Sequence, residues 1–324
     1  MRVLGFSRGA TSAFVAVAML VACGRSQLPI GAPATMAHSH VAQSTTEYDA
    51  SASLLFVTDT TDSEVEVYRA EAKDPNPIAV ITDGLMFPFG DCIDGSGTLY
   101  VTNQGTGVGF ISEYMAGKTK KSKTITKGLY LPVYCAIDAA GNLWVTNAGN
   151  NRVTEYRPGA TRPSAIIADG VTDPHGIAFD HSGNMYVSNY LGSYEGYIAI
   201  YAPGHKSPSR TITDGIAADA GIAVDAKGIL YVANSVECNV EEYLAGKDKP
   251  YQEITDDIDG PQGLNVGKNG WLYVTNTGTE SCKNNGPADV ILEFAPASLK
   301  PSAKEVSNGI FTPGGSAYSP PLLP

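Results

Sequence analysis

Pro174-His175-Gly176-Ile177-Ala178-Phe179-Asp180, a short turn around Gly183, and then Met185-Tyr186-Val187-Ser188-Asn189 form the stretch that decides the fold, because it recurs. The second half returns as Leu54-Leu55-Phe56-Val57-Thr58-Asp59, Leu99-Tyr100-Val101-Thr102-Asn103, Leu143-Trp144-Val145-Thr146-Asn147, Leu230-Tyr231-Val232-Ala233-Asn234 and Leu272-Tyr273-Val274-Thr275-Asn276. Counted by their last residues, the copies are spaced 44, 44, 42, 45 and 42 residues apart. That period is the length of one four-stranded sheet, and six copies imply six sheets. Apolar and polar residues alternate within each copy, as a strand packed between sheets requires and a helix of period 3.6 does not.

The first half of the motif recurs ahead of five copies, for example as Pro88-Phe89-Gly90-Asp91-Cys92-Ile93-Asp94, but nothing like it precedes Leu54. It stands instead at the far end, as Pro313-Gly314-Gly315-Ser316-Ala317-Tyr318. The C-terminal strand is therefore expected to pair into the first sheet, closing the ring and leaving no open edge. The predicted fold is an all-β, six-bladed β-propeller of four-stranded blades spanning residues 48–324.

Residues 54–318 resemble the NHL-repeat and related six-bladed propellers, whose units read Pro-x-Gly-Ile-Ala-x-Asp followed by Gly-x-Leu-Tyr-Val-Ala-Asp. The match is clearest over 174–189, and the consistent departure is Asn where that family often has Asp.

Ahead of the repeats, Arg2 and Arg8 flank a short basic segment, and residues 10–22 are apolar or small, too short a run to span a bilayer and suited to a signal peptide. It ends in Leu20-Val21-Ala22-Cys23, which resembles the bacterial lipobox. That resemblance implies cleavage after residue 22, acylation of Cys23 and anchoring on the periplasmic or cell-surface face of a membrane. Residues 23–47, rich in Ala, Ser, Thr, Gln, Pro and Gly, read as a flexible tether. His38 and His40 within it have no third ligand beside them and are read as bland.

Without residues 1–22 the chain carries 20 Lys and Arg against 33 Asp and Glu, a net charge of −13. So acidic a surface repels phosphate backbones and argues against nucleic acid. The expected state is a monomer. In an exported chain the four cysteines beyond Cys23 permit disulfides. Cys238 and Cys282 follow the Asn of neighbouring units in equivalent loops and are expected to bridge. Cys92 and Cys135 lie one register apart on neighbouring inner strands, where either a bridge or two buried thiols fits.

In a propeller the loops leading into the inner strands and those after the Asn open on one end, the default binding face. There the sequence places Phe87, Phe89, Asp91, Tyr130, Tyr134, His175, Gln262 and Phe311 from the leading loops and inner strands. The following loops bring Asn103, Asn147, Asn189, Tyr190, Tyr194, Asn234 and Asn276. Aromatic rings beside amides suit a peptide, a glycan or a protein partner. The Asn set, repeated in every blade, reads more simply as turn caps, and the aspartates Asp94, Asp138, Asp180 and Asp225 read as turn formers at the opposite end. His175 is the one candidate acid or base in the channel.

Enzymes on similar repeats supply the alternative. Amidating lyases hold zinc with several channel histidines, where this chain has only His175. Gluconolactonase-type lactonases and streptogramin-type lyases use carboxylates around calcium or magnesium, where this chain offers Asp91, Asp219 and His175. The leading expectation is a membrane-anchored binding or interaction scaffold without a cofactor. The alternative is a metal-assisted lyase or lactonase needing a divalent cation.

Overall fold

The computed structural model describes residues 46–322 apart from 71, 106, 193, 218–220, 269, 279–281, 283–285 and 303–304. Among them are six separate antiparallel sheets and a single short 3-10 turn, Ala148–Asn150. Blade 2 shows the plan, running outward from the axis as Pro88–Ile93, Leu99–Asn103, Phe110–Tyr114 and Lys121–Ile125. Blade 1 is completed from the other end of the chain. Its inner strand is Pro313–Ser319, which pairs antiparallel with Leu54–Asp59, setting Phe56 against Ala317 and Val57 against Ser316. Blade 6 has three strands, and its outer position is a single bridge from Ile291 to Val306.

Each letter of the repeat has a physical task. In the Tyr-Val-Thr-Asn strand the Val is fully buried, as Val57, Val101, Val145, Val187, Val232 and Val274. The hydroxyl one residue later joins neighbouring blades. Thr102 Oγ1 accepts the N–H of Gly90 in its own blade at 2.9 Å and donates to the Val133 carbonyl of the next at 2.6 Å. Thr58 and Thr146 repeat the donation, to the carbonyls of Phe89 and His175. At the third strand, Tyr68, Tyr114, Tyr156, Tyr201 and Tyr243 are buried, and each hydroxyl donates to a carbonyl of the preceding inter-blade loop at 2.6–2.7 Å. A tyrosine here buries a large ring while satisfying its own hydroxyl and a carbonyl that would otherwise lack a partner.

The turn aspartates lie at the end of the ring where inner strands pass into second strands. Asp94 Oδ1 accepts the N–H groups of Ser96 and Thr98, Asp138 those of Ala140 and Asn142, and Asp180 those of Ser182 and Asn184. Both disulfides join neighbouring blades: Cys92–Cys135 links the inner strands of blades 2 and 3, and Cys238–Cys282 links loops of blades 5 and 6. Two disulfides fit an oxidising, extracytoplasmic compartment. Among the described residues no helix is long and apolar enough to cross a membrane.

Candidate functional site

The loops leading into the inner strands and the hairpins after the Asn residues share one end, the loop end. Hydrogen bonds such as Gln104 N–H to the Phe87 carbonyl and Leu131 N–H to the Val108 carbonyl tie them together. Just before the proline that starts an inner strand, Phe87, Leu131 and Asp173 sit at φ of 49°, 48° and 40°. Bulky residues reach this left-handed region only where the surroundings hold them there. The Asn side chains supply that hold. Oδ1 of Asn103, Asn147, Asn189 and Asn234 accepts the N–H of Met86, Tyr130, Thr172 and Ala217 respectively, at 2.8–3.0 Å. Their amide nitrogens donate within the same blade, as from Asn147 to Thr154 Oγ1 at 3.1 Å. The Asn276 amide donates to the carbonyls of Asp257 and Pro287. All five side chains are buried, and they shape the loops from beneath.

What the loops present is apolar. Of the eleven exposed large apolar side chains among the described residues, six are here: Met86, Phe87, Val108, Tyr130, Leu191 and Tyr194. Sequence reasoning named Phe87, Tyr130 and Tyr194 but missed Met86, Val108 and Leu191.

Nearer the axis, Phe89 and Tyr134 meet edge to face with ring centroids 5.4 Å apart. Tyr134 breaks a rule of the ring. Strand register places it level with Gly90, Gly176, Gly221, Gly263 and Gly315, where neighbouring inner strands approach closely. A Cβ on Gly221 would lie 2.2 Å from the Gln262 carbonyl oxygen. Tyr134 instead sends its hydroxyl past blade 2 to donate to the Gly314 carbonyl of blade 1 at 3.0 Å. His175 is buried beside Tyr190, with centroids 6.4 Å apart, and its Nε2 is 3.8 Å from Asp173 Oδ1. Gln262 is half-buried on the blade 6 inner strand. His181 and His205 are exposed. Cys23, His38, His40 and Asp219 lie outside the described residues.

Asp91 is the chemically unusual member of the predicted set. It is buried, and neither carboxyl oxygen has a hydrogen-bond partner. Burial pushes its carboxyl well above the usual carboxylate range, which favours the protonated form. A neutral carboxyl is a hydrogen-bond donor rather than a cation ligand. Among the described residues no three His, Cys, Asp or Glu side chains are arranged to hold a metal ion.

The chain matches no protein-family model, and no curated protein matches it by sequence. Its fold is shared with many solved structures. A chain of a nidogen/laminin complex superimposes with a TM-score of 0.68 at 15% identity, covering 84% of this chain and 100% of that one. A protein of unknown function from Bacteroides caccae gives 0.63 at 12% identity, covering 83% and 99%. Hydrazine synthase of Kuenenia stuttgartiensis gives 0.54 at 13% identity, covering 80% and 79%. The chain is a six-bladed β-propeller. At these identities the likeness is one of fold alone.

Proposed function

We propose that this propeller is an extracytoplasmic interaction scaffold that takes a protein partner on its loop end, and that a lipid on Cys23 holds it to a membrane. The observation that carries the reading is the concentration of exposed apolar side chains on loops whose backbone is locked from below by the Asn amides. Apolar groups rimmed by polar surface and preset before contact are what a protein interface uses. The resemblance of the repeats to NHL-type propellers and the nidogen/laminin neighbour support the same reading as analogies of fold. So does the course of the chain: residues 46–50 run beside the hairpin of blade 2 near Gly117, where Tyr48 N–H donates to the Gly117 carbonyl at 2.9 Å. This hairpin packs next to the Asp94 turn, so residues 46–50 lie at the turn end of the ring, opposite the loop end.

The metal-assisted lyase or lactonase reading is the weaker one, since burial raises the Asp91 carboxyl and so opposes the ionised form that a cation ligand needs. The test is a photo-crosslinking residue placed at Tyr130 or, on the opposite side, at Met115, in cells expressing the anchored chain. A discrete adduct from position 130 alone, weakened at least about threefold (roughly 0.7 kcal/mol) by Phe87→Ala with Tyr194→Ala, is expected. Equal labelling from both positions overturns the assignment of the face. The same preparation with Cys23→Ser should move to the soluble fraction, and if it stays with the membrane the anchor is misassigned.

A further inference from the structure

A cavity of about 280 Å³ occupies the half of the channel nearer the turn end. Of the residues expected on the loop-end face, Asp91 and Tyr134 line this cavity instead, while Phe89, His175 and Gln262 are not among its walls. Tyr134 lies at its inner end, where its hydroxyl donates to the Gly314 carbonyl of blade 1. At the outer end stands a ring of half-buried residues, one per blade, mostly apolar: Tyr318, Ile93, Ile137, Phe179, Val224 and Val266. The cavity is reached from the turn end past these mostly apolar side chains.

Strand register makes the wall legible level by level, because a residue repeated in every blade serves the ring and one that departs from the repeat does not. At the level opposite the buried valines, blades 4, 5 and 6 carry Ile177, Ile222 and Leu264, while blade 1 has Ser316 and blade 2 has Asp91. One level outward, blades 1, 3, 4 and 5 carry Ala, and blade 6 has Asn265. The polar departures therefore sit on three consecutive blades, 6, 1 and 2, and face an aliphatic wall on blades 4 and 5. Ser316 Oγ and both oxygens of Asp91 are buried without a hydrogen-bond partner. Unpaired buried polar groups cost stability, and two on adjacent strands where aliphatic side chains fit are unexplained by folding.

We propose that this half of the channel binds one small uncharged amphiphile, its hydrogen-bond-accepting head toward Asp91 and Ser316 and its apolar body against Ile177 and Ile222. A hydroxyl donates, and so does a carboxyl that burial pushes toward its protonated form, so a carbonyl or ether oxygen supplies the partner each lacks. An anion would meet no cationic side chain on this wall, and a volume near 280 Å³ lies just below the usual range for drug-sized ligands.

The probe is prodan, a neutral naphthalene ketone whose emission moves to the blue in an apolar site. The mature chain should bind it saturably at one per chain. Asp91→Leu places in blade 2 what blade 6 carries at Leu264, so the ring should fold and melt no lower than the parent while affinity falls at least about tenfold. Ser316→Ala, which removes only a hydroxyl, should weaken binding about threefold to tenfold. Ala223→Leu should exclude the probe by filling the cavity. Phe87→Ala should change nothing, which separates this site from the loop-end reading. The proposal is overturned if the parent shows no saturable binding, if Asp91→Leu and Ser316→Ala both bind as tightly as the parent, or if Phe87→Ala abolishes the signal.

Discussion

The closing blade carries a carboxyl pair whose consequence can be worked out in numbers. Five repeats end their second strand in Asn, and blade 1 ends it in Asp59, whose carboxylate accepts the N–H of Phe311 at 2.9 Å and of Asp62 at 2.9 Å. In blades 2 and 3 the Asn amide donates across to Ser112 or Thr154 on the third strand. The residue at that place in blade 1 is Glu66, fully buried opposite Val57, with neither oxygen hydrogen-bonded. Burial, then the charges of Asp59 and Glu64, push the Glu66 carboxyl up to about 10. The folded chain thus keeps a proton that the unfolded chain releases near 4.5. Stability from this group is fully present below pH 4.5, declines by about 1.4 kcal/mol per pH unit above it, and stops declining near pH 10. At pH 7 the accumulated loss is about 3 kcal/mol.

Glu66→Gln keeps the shape and supplies a donor that never ionises. It should recover that loss of about 3 kcal/mol at pH 7, raising the melting temperature by roughly 6–10 °C, and more at pH 9, while the two proteins converge near pH 4.5. Urea unfolding at pH 5, 7 and 9, with disulfides intact, reads this as a midpoint difference that widens with pH at constant slope. If the two proteins unfold at the same urea concentration at pH 7 and pH 9, Glu66 does not retain its proton in the ring, and the reasoning fails.

Tyr114→Phe removes a buried hydroxyl and strips the Asp83 carbonyl of its partner, so it should cost about 1–3 kcal/mol by equilibrium unfolding, with little change at the loop end. A loss below about 0.3 kcal/mol would mean that the tyrosine hydroxyls do not tie the blades. Replacing Cys238 and Cys282 together by Ser opens a covalent loop spanning 44 residues and should cost about 2–4 kcal/mol, with blades 5 and 6 losing hydrogen-exchange protection first. Uniform loss of protection around the ring would contradict a local staple.

The sequence by itself determined the ring. Six copies of one strand, a period set by four strands, and a Pro-x-Gly strand displaced to the C-terminus leave one arrangement that pairs every inner edge, and the structure has it. The Cys238–Cys282 bridge was legible for the same reason, since equivalent loops of adjacent repeats must be neighbours. Cys92 and Cys135 were left open because sequence gives their register but not the distance between inner strands, and their Cα atoms prove to be 5.7 Å apart. The loop-end residues could be assigned to an end of the ring, and the repetition of Asn from blade to blade already favoured caps, but the backbone groups they hold could not be named. Whether an Asn faces a ligand or a backbone N–H depends on the path of a loop from another part of the chain, and tertiary structure turns these amides inward. The channel also depended on three dimensions. Asp91, Ser316 and Asn265 are far apart in sequence, and only closure of blade 1 by the last strand brings blades 6, 1 and 2 together as one polar wall. Repetition in a sequence encodes what the blades share, whereas departures from it acquire meaning only when the ring sets them side by side.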